Sequence, residues 1–303
     1  MKTPLILDLK CNSLDDGPGI RTAIFFKGCP LSCVWCHNPE SKKIDEEIAF
    51  DASICIGCGQ CVLVCPNNAL DKHNKYYIDR EKCSLCYACV ETCPAKALTR
   101  VGKKMEIDEI VKKALSDKTF FDVSGGGVTL SGGEVTMYPE WSGELAKKLN
   151  ENGINVLIET CGLFDYEKVS EYMFPYISDI YCDFKIYDEE HHKKYCGVSN
   201  ILIKENIEKM ISESNQGHFS LKLRVPLIPG ITDTDDNLEK ISSFMAEHKI
   251  TKTELLPYNS TWYGKNDKLG KELCDELKGV DKWQSEEQMK HMKGIFISKG
   301  IEC

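Results

Sequence analysis

Beyond about residue 102, short apolar runs alternate with stretches in which apolar residues recur every three or four positions. A short run reads as a buried strand, and the longer spacing reads as one face of a helix. Ile107, Ile110, Val111 and Leu115 share one side of a helix predicted over 106–118. Gly127 to Leu130 reads as a strand running into the turn Ser131-Gly132-Gly133. Further helices are predicted over 141–152, 166–173, about 199–213 and 237–247, with most of 267–300 helical as well. Strands are predicted over 154–159, 177–184, 219–228 and 251–256. Upstream, Ala23-Ile24-Phe25-Phe26 forms one more buried strand and leads into a cysteine-rich loop.

Strands that alternate with helices pair in parallel through right-handed crossovers. About six strands are too few to close an eight-stranded barrel, so the pattern predicts an α/β fold of the partial (β/α)6, TIM-like type. Side chains that act in such folds lie at the carboxyl ends of the strands. Three regions are expected. Residues 1–48 start the barrel and carry the cysteine loop, 49–101 form a cysteine-dense insert, and 102–303 complete the barrel.

Composition narrows the function. No run of about 18 apolar residues appears, which argues against a membrane span. The start MKTPLILDLK lacks the apolar core of a secretory signal. A formal charge of −9 disfavours a nucleic-acid surface. The chain has 17 cysteines, an odd number, and eleven of them fall in tight clusters. Without a secretory signal, that pattern points to metal ligands in a reducing, anaerobic cytoplasm rather than to disulfides.

Cys29-x3-Cys33-x2-Cys36 follows the first predicted strand. Three thiolates on a four-iron cubane leave one iron without a protein ligand, and an open metal position can bind substrate. The competing assignment is a zinc site completed by His37. In the insert, Cys55-x2-Cys58-x2-Cys61-x3-Cys65-Pro66 recurs as Cys83-x2-Cys86-x2-Cys89-x3-Cys93-Pro94. This is the bacterial two-cluster ferredoxin spacing, in which the fourth cysteine of each run ligates the other cluster. It assigns Cys55, Cys58, Cys61 and Cys93 to one [4Fe–4S] cluster, and Cys83, Cys86, Cys89 and Cys65 to a second. Fully ligated clusters pass electrons, so the insert is either a relay or a structural and docking element.

The stretches Asp16-Gly17-Pro18-Gly19-Ile20-Arg21-Thr22 and Phe26-Lys27-Gly28-Cys29-Pro30-Leu31-Ser32-Cys33-Val34-Trp35-Cys36-His37-Asn38-Pro39-Glu40 carry a specific resemblance. The chain resembles the radical S-adenosylmethionine (SAM) superfamily, in particular the glycyl-radical-enzyme activating enzymes of the pyruvate formate-lyase activating type. The resemblance implies three [4Fe–4S] clusters, SAM on the open iron of the Cys29, Cys33 and Cys36 cluster, and a 5′-deoxyadenosyl radical. It places Trp35 near the adenine, and Gly132, Gly133 and Glu134 at the methionine amino group. It places Glu159, Thr160 and Asp183 at a monovalent cation, Lys185 at the cofactor carboxylate, Arg224 against the cofactor, and Asn259 near the adenine. It implies a glycyl radical enzyme as protein substrate and a flavodoxin or ferredoxin as electron donor. The rival readings are a radical SAM enzyme acting on a small molecule or another protein, and a multi-cluster electron carrier.

Overall fold

The structure is a computed structural model that describes residues 2–303. Its strands are Ile6–Ser13 (β1), Arg21–Phe26 (β2), Glu47–Phe50 (β3), Leu98–Val101 (β4), Gly127–Gly132 (β5), Asn155–Thr160 (β6), Asp179–Asp183 (β7), Ser220–Pro226 (β8) and Glu254–Leu256 (β9). Seven form one sheet in the order β1-β2-β5-β6-β7-β8-β9. In this sheet every neighbouring pair from β2 onward is parallel, and β1 is antiparallel to β2. The fold is thus α/β with a mostly parallel sheet, and the six parallel strands are the six that the apolar runs predict. The sequence pattern does not announce β1, because Asp8, Lys10, Cys11 and Asn12 leave most of it partly or fully exposed.

The helices are Gln60–Leu63 (α1), Ala88–Glu91 (α2), Ile107–Ser116 (α3), Lys118–Ser124 (α4), Pro139–Glu151 (α5), Tyr166–Tyr172 (α6), Glu189–Cys196 (α7), Ile201–Asn215 (α8), Asp235–Glu247 (α9), Tyr263–Lys268 (α10) and Glu286–Ile297 (α11). Side-chain caps fix several starts: Asp165, Asp188 and Thr234 each accept from a backbone N–H in the first turn, and Ser285 forms a capping box with Gln288. The expectation of a mostly helical 267–300 is corrected. Between α10 and α11 the chain is irregular, with left-handed backbone at Gly270 and Gly279 and buried Leu269 and Leu277 as anchors. Among the described residues, no helix is long and apolar enough to cross a membrane.

Strand alternation divides the sheet into two faces. One face packs Ile24, Phe26, Val128, Leu130, Val156, Ile158, Ile180, Cys182, Leu223 and Val225 into the main core. The other carries Thr129, Ser131, Glu159, Tyr181, Asp183 and Arg224. Register then lines up Glu159 with Tyr181 and Lys222, and Asp183 with Arg224 and Glu254.

The cysteine-dense segment lies between β3 and β4, which pair antiparallel as a separate sheet. Its own small core contains Ile48, Leu70, Ile78 and Leu98 with Cys61 and Cys89. Lys27 ties it to the main sheet. This fully buried ammonium donates to Glu40 O at 2.6 Å and to Glu47 Oε2 at 2.8 Å.

Candidate active site

A cavity of about 990 Å³ opens where the parallel strands end. Cys29, Cys33 and Cys36 line it from the loop after β2, together with Trp35 and His37. Gly132 and Gly133 reach it from β5, Glu159 and Thr160 from β6, and Asp183 and Lys185 from β7. Arg224 comes from β8 and Asn259 follows β9. Every strand end that the sequence singles out therefore contributes to one space.

A chain of charge crosses four of those strand ends. Ser131 Oγ donates to Glu159 Oε2 at 2.5 Å, and Glu159 Oε1 accepts from Arg224 Nη1 at 2.5 Å. Arg224 reaches Asp183 Oδ1 from Nε at 2.9 Å and from Nη2 at 2.8 Å. Asp183 Oδ2 then accepts from Lys185 Nζ at 2.8 Å. Burial works against the charge on Asp183, but Arg224 and Lys185 outweigh it and hold the carboxyl at about 2. Burial likewise opposes the Lys185 charge, and Asp183 outweighs it, so the ammonium stays protonated well above its usual range. The Arg224 guanidinium bridges Glu159 and Asp183, two of the three residues expected at a monovalent cation. Two partly buried carboxylates side by side favour an opposite charge between them, and Arg224 supplies it.

Glu134 lies behind the cavity wall rather than on it, and is 1% exposed. Its Oε1 accepts from Thr136 N, Thr136 Oγ1 and Thr160 Oγ1, and its Oε2 accepts from Cys161 N at 2.7 Å. It welds the end of β5 to the end of β6. The two preceding glycines have a packing reason of their own. A Cβ on Gly133 would stand 2.0 Å from Gly28 O, and one on Gly132 would stand 2.4 Å from Phe26 N.

The three-cysteine loop is fixed from several sides. Lys42 Nζ donates to Cys33 O, Lys265 Nζ to His37 O, and Lys271 Nζ to Pro39 O. Ser32 N and Val34 N donate to the carbonyls of Cys196 and Tyr195 at the end of α7. A second apolar cluster backs the loop, with Leu31, Cys33, Trp35, Cys161, Cys196, Tyr258 and Trp262. Sequence spacing gave no reason to notice Cys161 and Cys196, yet both are buried beside the loop. A hydrogen bond with Cys196 pulls the Cys33 thiol below its usual range against the effect of burial. Burial pushes Cys36 up to about 11 and lowers His37 to about 4, where Lys185 adds to the effect. His37 stacks with Trp262, with ring centres 6.4 Å apart. Among the described residues, no three His, Cys, Asp or Glu side chains gather tightly enough for a single metal ion.

In the insert, two smaller cavities sort the eight cysteines. Cys55, Cys58, Cys61 and Cys93 line one, with Phe50, Tyr77 and Leu98. Cys65, Cys83, Cys86 and Cys89 line the other, with Ile48, Leu70 and Ile78. Each cavity thus takes three cysteines from one half of the repeat and the fourth from the other half. All eleven clustered cysteines are free thiols, and the donor sets fit iron–sulfur clusters: three thiols on the large cavity, and four around each of the smaller ones.

The sequence model of the Radical SAM superfamily matches residues 23–241. The benzylsuccinate synthase activating enzyme of Thauera aromatica is 37% identical, over 99% of this chain and 93% of its own length. The trans-4-hydroxy-L-proline dehydratase activating enzyme of Clostridioides difficile is 38% identical, over 97% of this chain and 96% of its own length. A crystal structure of a radical SAM methyltransferase from Sphaerobacter thermophilus covers the whole chain and 76% of its own, with a TM-score of 0.55 at 12% identity, which is a likeness of fold alone.

Proposed function

The chain belongs to the radical SAM superfamily, among the activating enzymes of glycyl radical enzymes, and we propose from that footing how its own residues serve the reaction. It reductively cleaves SAM to a 5′-deoxyadenosyl radical and abstracts hydrogen from a glycine of a partner glycyl radical enzyme. The observation that carries the site reading is the convergence of Cys29, Cys33 and Cys36 with five strand ends on one cavity.

In this reading Cys29, Cys33 and Cys36 hold a [4Fe–4S] cluster and leave one iron open. The backbone at Gly132 and Gly133 cradles the methionine portion of the cofactor. Lys185, kept charged by Asp183, presents its ammonium to the cofactor carboxylate. Trp35 and Asn259 flank the adenine. Asn259 is already oriented by accepting from Thr261 N at 3.0 Å. Glu134 positions the cradle from behind, and Arg224 does for Glu159 and Asp183 what a monovalent cation would otherwise do. The sheet, with β1 and β9 at its two ends, acts as an open partial barrel whose gap admits a peptide loop of the partner. Zinc on the same three cysteines and His37 is the weaker reading, because among the described residues no three such side chains gather tightly enough for a single ion.

Residues 49–101 form a two-cluster ferredoxin domain in this reading. Its clusters relay single electrons from a flavodoxin or ferredoxin in an anaerobic cytoplasm. The cavities that unite Cys93 with the first half and Cys65 with the second support this assignment.

The test is anaerobic incubation with SAM, a reductant and candidate glycyl radical enzymes, including a dehydratase, a decarboxylase and a benzylsuccinate-type synthase. A glycine-centred doublet in electron paramagnetic resonance and equivalent 5′-deoxyadenosine are expected with one of them. Formation of 5′-deoxyadenosine without a glycyl radical in any partner would favour a small-molecule substrate.

A further inference from the structure

The two insert cavities share one plan. Aligning Cys55 with Cys83 and Cys65 with Cys93 pairs Phe50 with Ile78, Leu98 with Leu70, and Ala97 with Ala69 across the two linings. Each site also has one backbone donor aimed at sulfur. Ala97 N donates to Cys93 Sγ at 3.3 Å, and Ala69 N donates to Cys65 Sγ at 3.2 Å. One residue of each lining has no counterpart in the other: Tyr77 in the first cavity and Ile48 in the second.

Tyr77 brings its hydroxyl to 3.0 Å from Cys61 Sγ. The polar side chains of the second cavity are engaged elsewhere or reach water. Asn67 Nδ2 donates to Lys82 O at 3.0 Å, Tyr87 OH donates to Glu46 Oε2 at 2.7 Å, and Ser84 is exposed. The backbone at Tyr77 has a φ of 65°, in the left-handed region that a bulky residue rarely adopts. Such strain persists only where the surroundings over-determine it. Here Tyr77 N donates to Asn74 O, and the Tyr77 carbonyl accepts from Asp71 N. The ring stacks on Phe50, with centres 4.1 Å apart. Backbone and ring together fix where the phenol points.

We propose that Tyr77 sets the reduction potential of the cluster held by Cys55, Cys58, Cys61 and Cys93. The inference rests on the two-cluster reading of the insert. A cysteine that binds iron has given up its proton, so in the loaded protein the phenol donates and the Cys61 sulfur accepts. Hydrogen bonds to the sulfurs are among the factors that set a cluster's potential. Reduction adds one negative charge, and a fixed donor favours the more negative state, so the bond raises the potential. One electron enters from the reduced carrier protein, the phenol keeps its proton, and no covalent bond forms or breaks. The site takes that electron more readily, and releases it less readily, than it would with a hydrocarbon in place of the hydroxyl. Tyr77 is a positioning residue that acts through Cys61, on one insert cluster and not on the other.

Tyr77→Phe removes the hydroxyl and keeps the ring on Phe50. The control is Tyr76→Phe, the same change at a neighbour whose hydroxyl donates to Glu272 at 3.2 Å and which lines neither cavity. Midpoints are read by redox titration of the anaerobically reconstituted proteins, followed by electron paramagnetic resonance. In Tyr77→Phe one midpoint should fall by about 59 mV, a tenfold weaker reduction equilibrium for one electron. It should be the midpoint that Cys93→Ala removes. The other midpoints, the iron content and every value of Tyr76→Phe should match the wild type. Phe50→Leu, which loosens the ring and keeps the hydroxyl, should lower the same midpoint by less. Wild-type midpoints in Tyr77→Phe at full iron content would overturn the proposal. A fall shared by both insert clusters, or a loss of iron, would make Tyr77 a packing residue and overturn it as well. Wild-type protein that reconstitutes with iron for one cluster only would instead overturn the two-cluster reading.

Discussion

Arg224 grips Asp183 with two nitrogens, Nε at 2.9 Å and Nη2 at 2.8 Å from the same carboxylate oxygen. The contact locks the end of β8 to the end of β7, and Nη1 carries the lock on to Glu159 on β6. Three strand ends thus share one guanidinium, and Lys185 is oriented toward the cavity as a consequence.

Arg224→Met should leave Glu159 without its cation, while Asp183 keeps Lys185. Because both carboxylates are partly exposed, the fall in unfolding free energy should be about 1–3 kcal/mol, between the values for exposed and buried pairs. The variant should also become dependent on potassium or sodium for SAM binding. The wild-type protein should bind SAM equally well when either ion is replaced by a bulky organic cation. Calorimetric titration in the different salts checks both statements.

Asp183 gives a pH signature. Its folded-state value of about 2 lies below the usual aspartate value of about 3.9. A depressed acid stabilises the fold above its unfolded value and loses that contribution as pH falls through the folded value. The difference in urea stability between wild type and Asp183→Asn should be constant from about pH 7 to pH 5, at about 2–3 kcal/mol. It should shrink below about pH 4.

Glu134→Gln should behave as a positioning change. The amide places an N–H₂ donor where four donors now converge. A loss of about 1–3 kcal/mol in stability is expected, with weaker SAM binding and unchanged iron content. Glu134→Asp, one methylene shorter, should restore part of the binding. Wild-type stability and SAM binding in Glu134→Gln would show that the four donors do not require a carboxylate.

Much of this arrangement is legible in the sequence. The six parallel strands are apolar runs, and their ends are marked by motifs whose residues the fold gathers. What is hidden has physical reasons. Most of β1 is partly or fully exposed, so it has no apolar run. Helix α7 buries only His192 and Cys196, so it has no apolar stripe. Cys161 and Cys196 reach the cysteine loop through tertiary packing and not through spacing. The place of Glu134 behind the wall and the bridge made by Arg224 depend on side-chain direction, which strand register decides and a motif does not.

Cys93 tests how the insert is wired. It lies with the cavity of the first half, not with its own run. Cys93→Ala should therefore disrupt the cluster of Cys55, Cys58 and Cys61 and spare that of Cys83, Cys86 and Cys89. Mössbauer spectra of Cys93→Ala and Cys86→Ala should show different clusters lost. Identical spectra would mean that each run closes its own site.

The proposed cluster on Cys29, Cys33 and Cys36 has one iron that no side chain of the protein ligates. Electron paramagnetic resonance of the anaerobically reconstituted, reduced protein, recorded with and without SAM, tests it most directly. The cluster signal should change on adding SAM, and Cys33→Ala should abolish both that signal and its change. A spectrum unaffected by SAM, or zinc bound to these three cysteines, would contradict the account.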